Sequence, residues 1–133
     1  MRILFDTEVL VSYLTCIGNH EENELISLID KALEKHECAL SVKSAGDIHY
    51  RLKDIFLETE TVKNLSEMLD ERFSIIGIDD TDVIDSEIND YEQTILINTA
   101  IQNDCDLIVA GNTDIAENHV IKTISVEQLR NLI

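Results

Sequence analysis

Five short apolar runs, separated by longer amphipathic stretches, constrain this chain more than any other feature. The runs are RILF (2–5), CALSV (38–42), FSIIGI (73–78), DLIVAG (106–111) and VIKTIS (120–125). Each has strand length, and RILF reads as a central parallel strand. The intervening segments have helical spacing. EENELISLIDKALEKH (21–36) places Leu25, Ile26, Leu28, Ile29, Ala32 and Leu33 on one side. SAGDIHYRLKDIFL (44–57) gathers Ile48, Leu52, Ile55 and Phe56 on one face. EVLVSYLTCI (8–17) continues from Thr7 as its N-cap, and TVKNLSEMLDERF (61–73) and DYEQTILINTAIQND (90–104) are further helices. SVEQLRNLI (125–133) closes the chain, with Ser125 as N-cap and Glu127 in the first turn. Strands alternating with helices predict an α/β fold, one domain over 1–133, with a mostly parallel five-stranded sheet flanked by helices.

Composition excludes several classes. No apolar run is long enough to span a bilayer. The N-terminus lacks the basic, apolar and small-residue order of a signal peptide, so a cytoplasmic location is expected. Cys16, Cys38 and Cys105 form no CxxC pair and are odd in number, which suits small core residues rather than a disulfide framework or a zinc knuckle. The net charge of −17 opposes unaided binding to nucleic acid and favours divalent cations or a basic protein partner. With no proline and four glycines, turns must rely on Asn, Asp and Ser.

The acids fall where a parallel sheet does its chemistry. Function collects at the carboxyl ends of the strands. Asp6 follows the first strand directly, Asp79 the third, and Asn112 and Asp114 the fourth. Asp47 and Glu92 lie near the starts of helices that point at the same edge. Carboxylates converging there repel one another unless a positive group sits between them. Mg²⁺ or Mn²⁺ is the usual answer for an all-oxygen site.

Four blocks of the sequence resemble a known family. MRILFDTEVLVSYL is similar to the hydrophobic-Asp-Thr-Asn-Val-Leu opening of the PIN domain (PilT N-terminus) family, which includes VapC-like toxin ribonucleases. LSVKSAGDIHYRL resembles the second block, a strand and then a helix carrying an acid. DYEQTILINTAIQNDCDLIVAGNTDI resembles the third, and ISVEQLRNLI the closing helix. The resemblance implies a metal-dependent endoribonuclease of toxin–antitoxin type, with Mg²⁺ or Mn²⁺ assisting phosphodiester hydrolysis. It places Asp6 and Asp47 as ligands. The third acid of the family falls on Gln93, its Asn after Asp-Thr on Glu8, and its Arg in Thr-Arg-Asn on Gly111. Asn112 matches the fourth region, with Asp114 one residue early. Asp90 and Glu92 are the acids nearest Gln93, so the implied catalytic set is Asp6, Asp47, Asp90 and Glu92. Metal would rest on Asp6, Asp47 and Glu92, with Glu8, Gln93, Asn112 and Asp114 at the edge. Such a metal lowers the pKa of bound water, and a carboxylate can deprotonate it.

Other readings of the same residues stand beside this one. Asp6 also suits a helix N-cap, Asp47 a first-turn acid favoured by the helix dipole, and Asn112 a Gly-Asn turn. His20, His36, His49 and His119 form no ligand pair. Lys31, Lys35, Lys43, Arg51 and Lys53 form the densest positive region, which either pairs with neighbouring acids or lines an RNA groove. One rival is a PIN-like domain without catalysis that binds protein or RNA. A more distant one is a haloacid-dehalogenase-like phosphatase, from FDTEVL and AGNTDIAEN. The expected partners are single-stranded RNA, an antitoxin-like or other basic protein, and a second copy of the chain, but no membrane.

Overall fold

A computed structural model of the chain describes residues 1–78, 91–111 and 120–133, and the side chains of all of these except Tyr91 and Glu92. Five strands form one sheet: β1 (Arg2–Phe5), β2 (Glu37–Ser41), β3 (Ser74–Ile76), β4 (Leu107–Val109) and β5 (Thr123–Ile124). Their order is β3-β2-β1-β4-β5, and every pairing is parallel. Among the described helices are α1 (Thr7–Gly18), α2 (Glu24–Lys35), α3 (Val42–Ile55), α4 (Thr59–Arg72), α5 (Tyr91–Gln102) and α6 (Val126–Arg130).

The central strands owe their continuous apolar character to burial on both faces. Successive side chains of a strand point to opposite faces. Ile3, Phe5, Cys38, Leu40, Leu107 and Val109 therefore enter one core, packed against α1 to α4 and α6. Leu4, Ala39, Ile76, Ile108 and Ala110 enter a second core with Leu96, Ile97 and Ala100 of α5. The result is three layers, with the sheet between.

Both helices that follow the central strands start without a loop, so the strand ends must supply their caps. Ser41 Oγ accepts from the Ser44 amide at 3.0 Å, and Asp6 Oδ1 accepts from the Val9 amide at 2.9 Å. The cap of α1 is thus Asp6 rather than Thr7. Asp6 leaves the strand in extended conformation and its carboxylate reaches the third helical amide, while Thr7 is already helical. On α2, Leu28, Ile29 and Ala32 are fully inside, and Leu25, Ile26 and Leu33 pack partly buried against them. Ile55 departs from the expected inward face. It ends α3 and is 41% exposed, while Phe56 turns back onto the core. Val62, Leu65 and Leu69 of α4 also lie in the chain's own core. The last helix carries a capping box between Ser125 and Gln128.

Candidate functional site at the carboxyl edge

The chain runs from β1 outward to β2 and β3, then returns to the other side of β1 for β4 and β5. The topological switch point therefore lies between β1 and β4, where open α/β sheets leave a crevice at their carboxyl ends. Asp6 sits at this point. It is 5% exposed. Its main-chain amide donates to the Val109 carbonyl at 3.0 Å, continuing the β1–β4 ladder by one residue. Oδ1 caps α1, and Oδ2 accepts from the Gly111 amide at 3.0 Å. Burial pushes the Asp6 carboxyl above the ordinary carboxylate value. The donations from Val9 and Gly111 oppose that rise, and Glu8 adds to it.

Around Asp6 lie a set of hydroxyls and two ion pairs. Thr7 Oγ1 and Ser41 Oγ both approach Ser44 Oγ, at 2.9 and 3.0 Å, tying the starts of α1 and α3 together. Lys43 Nζ meets Asp47 Oδ2 at 2.8 Å, one turn apart on α3. Arg51, one turn beyond Asp47, crosses to Glu8 Oε1 on α1. Each pair is partly in solvent, so screening holds each to less than about 1 kcal/mol. Gln93 lies half-buried in the first turn of α5. Asp79, Asp90, Asn112 and Asp114 lie outside the described residues, as does the side chain of Glu92.

The structure places Asp6 and Glu8 at the start of α1 and Asp47 on α3, and adds contacts that the sequence did not assign: Arg51 to Glu8, the Gly111 amide to Asp6, and the Ser41–Ser44–Thr7 hydroxyls to one another. The traces in the sequence are partial. Lys43, Asp47 and Arg51 recur at four-residue spacing, which stacks them along one helix face without indicating Glu8 as a partner, and Ser44 follows Ser41 by the spacing of a cap. The bond to Gly111 left none.

A parallel α/β sheet with a buried carboxylate at its switch point defines a class of proteins that place chemistry or binding at one edge. Within that class the chain belongs to the PIN domain family, whose model matches residues 2–114. Among solved structures, it is similar to a chain of the crystal structure of VapBC2 from Rickettsia felis bound to a DNA fragment from their promoter. The TM-score is 0.70 at 13% identity, over 94% of this chain and 98% of that one. No curated protein matches the sequence.

The donor set of the described residues does not fit a divalent cation. Asp6 spends both oxygens on backbone amides, Asp47 meets Lys43, and Glu8 meets Arg51. Among the described residues, no three His, Cys, Asp or Glu side chains are grouped to hold a metal.

A separate groove of about 550 Å³ runs between α3 and α4, with Phe56 and Val62 among its apolar residues and His49, Lys53 and Lys63 among its polar ones. His49 Nδ1 lies 3.1 Å from Ser66 Oγ in the same groove, and Leu57 on its lip is fully exposed. No helix among the described residues is long and apolar enough to cross a membrane.

Proposed function

We propose that this chain is a PIN domain that acts by binding a protein, with its acidic edge used for recognition rather than hydrolysis. One observation carries the reading: every described acid of the expected site already has an internal partner, Asp6 in two backbone amides, Asp47 in Lys43 and Glu8 in Arg51. Gln93 stands where the family's third acid would be, which agrees with that pairing. The net charge of −17 attracts a basic, antitoxin-like partner over long range, and the apolar groove between α3 and α4 offers it contact area.

A second reading is favoured by Asp6 itself. A buried carboxyl at a switch point, with its proton affinity raised, is the kind of group catalytic sites use. Under that reading the chain is a metal-dependent endoribonuclease of toxin type, acting on single-stranded RNA with Mg²⁺ or Mn²⁺. Asp90 or Glu92 would then supply the acid that Gln93 lacks.

Calorimetric titration of Mn²⁺ into the wild type and Asp6→Asn separates the two, at moderate salt to suppress diffuse binding. A single-stranded RNA cleavage assay runs beside it. The binding-module reading expects equal weak heats from both proteins and intact RNA. Near-stoichiometric Mn²⁺ binding that Asp6→Asn abolishes, with RNA cleavage, would overturn it in favour of the nuclease.

A further inference from the structure

We propose that the groove between α3 and α4 is the docking site for one amphipathic helix of the protein partner, acidic at the end over the α3–α4 turn and basic at the end toward the carboxyl edge. The proposal rests on the binding-module reading above and names the segment of the partner that reading requires. Only residues 56–58 separate the two helices, so they lie side by side as a hairpin, and the 3.1 Å approach of His49 to Ser66 marks where they meet. Each helix has 14 residues, about 21 Å of length. Phe56 and Val62 give the groove an apolar lining, and Leu57 stands fully exposed on its lip. A bare leucine beside an apolar groove is area that a partner removes from water. A groove between two helices takes a third helix along its length, with one apolar stripe inserted.

The charges of the groove are ordered along it. Lys53 and Lys63 flank it near the turn, and Glu67 and Asp70 flank it further along α4. Among the described residues, none of these four side chains makes an ion pair or hydrogen bond. α3 begins at the carboxyl edge, directly after β2, and α4 runs back beside it. Glu67 and Asp70 therefore lie nearer that edge than Lys63. The four charges sum to zero in a chain that carries −17 overall. A uniformly basic segment would meet Lys53 and Lys63 at one end, and a uniformly acidic one would meet Glu67 and Asp70 at the other. A segment charged in the complementary order meets neither repulsion, and its basic end points at the acidic edge. A second copy of the chain carries the same ordered charges, but two chains of −17 repel one another over long range, which favours a different protein.

The test uses two labelled peptides of about 14 residues, matched to the groove and held helical by a side-chain staple. Both carry the same leucine stripe and the same Glu and Lys content. One has its Glu residues at one end and its Lys residues at the other, and the second has them interleaved. Equal net charge cancels the long-range field, and moderate salt screens the rest. Fluorescence anisotropy is read on the wild type, Leu57→Ser and Lys53→Gln/Lys63→Gln, each first checked for native circular dichroism. The wild type is expected to bind the ordered peptide at least roughly tenfold tighter than the interleaved one. Lys53→Gln/Lys63→Gln should lose that preference, and Leu57→Ser should weaken both peptides. Equal binding of the two peptides by the wild type, or a preference that survives the loss of both lysines, overturns the proposal. A peptide-free wild type that sediments as a dimer, and as a monomer once Leu57 is replaced, assigns the groove to a second copy and overturns it too. In each case the binding-module reading stands or falls separately, on the Mn²⁺ titration and RNA assay above.

Discussion

Asp6 Oδ2 accepts a hydrogen bond from the Gly111 amide at 3.0 Å, joining the ends of two neighbouring strands that lie 105 positions apart in the sequence. The same carboxylate caps α1. One side chain thus fixes the start of a helix and the exit of β4.

Replacing Asp6 with alanine removes both acceptors. Gly111 is exposed and water can satisfy its amide, so the loss comes chiefly from the cap. Asp6→Ala is expected to cost about 1–2 kcal/mol. Asp6→Asn keeps one oxygen acceptor and should cost less. Urea denaturation of the three proteins, compared at equal m-value, measures both differences.

Acidity reads the same carboxyl from another side. Burial raises the folded-state pKa of Asp6 above that of the unfolded chain. Between the two values the folded protein holds a proton that the unfolded chain has released. The stability contributed by this group therefore falls as pH rises through that window and is regained on acidification. Asp6→Asn has no such proton. The wild type should gain on Asp6→Asn as pH is lowered from neutral into the mildly acidic range, which paired denaturation curves would reveal. A constant difference would mean that the two amide donations balance burial, and a wild type that loses ground on acidification would mean that they outweigh it.

Much of this architecture is legible in the sequence, because burial on both faces writes itself as apolar runs and burial on one helix face writes itself as spacing. RILF, CALSV and DLIVAG supplied strands close to their observed bounds, and the amphipathic pattern of residues 21–36 anticipated the inward Leu28, Ile29 and Ala32. Asp6 was legible as the carboxylate at the carboxyl end of an apolar strand, which is where the structure has it. Its role as cap in place of Thr7 depended on where the backbone turns helical, a matter of one residue. Strand order left no trace, since each central strand is apolar on both faces whichever neighbours it has. The Arg51–Glu8 pair was illegible for a related reason: it joins two helices through tertiary packing, and neither helix records the other's position.

Gly18 is a second position where two distant segments meet. A Cβ there would run into the Phe56 ring and come 3.0 Å from Leu65 Cδ1. Phe56 packs partly buried against the core, so its ring can move only at a cost. Gly18→Ala is expected to destabilise by about 1–3 kcal/mol, as overpacking does. Combining it with Phe56→Leu should recover part of the loss, because the clash is removed while apolar contact remains. Thermal denaturation of both variants tests this. Equal losses in single and double variant would show that the contact with Leu65, not the Phe56 ring, carries the strain.

The Tyr13 hydroxyl joins three helices. It donates to Asp30 Oδ1 of α2 at 2.8 Å and accepts from Arg72 Nη1 of α4 at 2.8 Å. Arg72 and Asp30 themselves approach to 3.5 Å. Burial, with Asp30 beside it, pushes the phenol up to about 12 from an ordinary value of 10.0. The unfolded chain therefore releases this proton first as pH rises, and stability should decline from about pH 10 towards 12. Ultraviolet titration of tyrosinate should show a late-titrating component that is missing in Tyr13→Phe. That variant should also lose about 1 kcal/mol, because it deletes two hydrogen bonds while leaving the ion pair.

The cysteines differ in reach as well as in acidity. Cys38 points into the core from β2, and burial pushes its thiol up to about 12. Cys16 and Cys105 are only partly buried, and all three thiols are free. The thiolate is the attacking species, so a buried, hard-to-ionise thiol reacts slowly with disulfide reagents. Native protein should therefore label at Cys16 and Cys105 first, with Cys38 following only through the unfolded chain. Mass spectrometry of partly labelled protein assigns the order. Adding urea below the unfolding midpoint should accelerate Cys38 in step with the population of unfolded chain. If Cys38 reacts as fast as the others in native protein, β2 must open locally without global unfolding, and the carboxyl edge built on its far end would open with it.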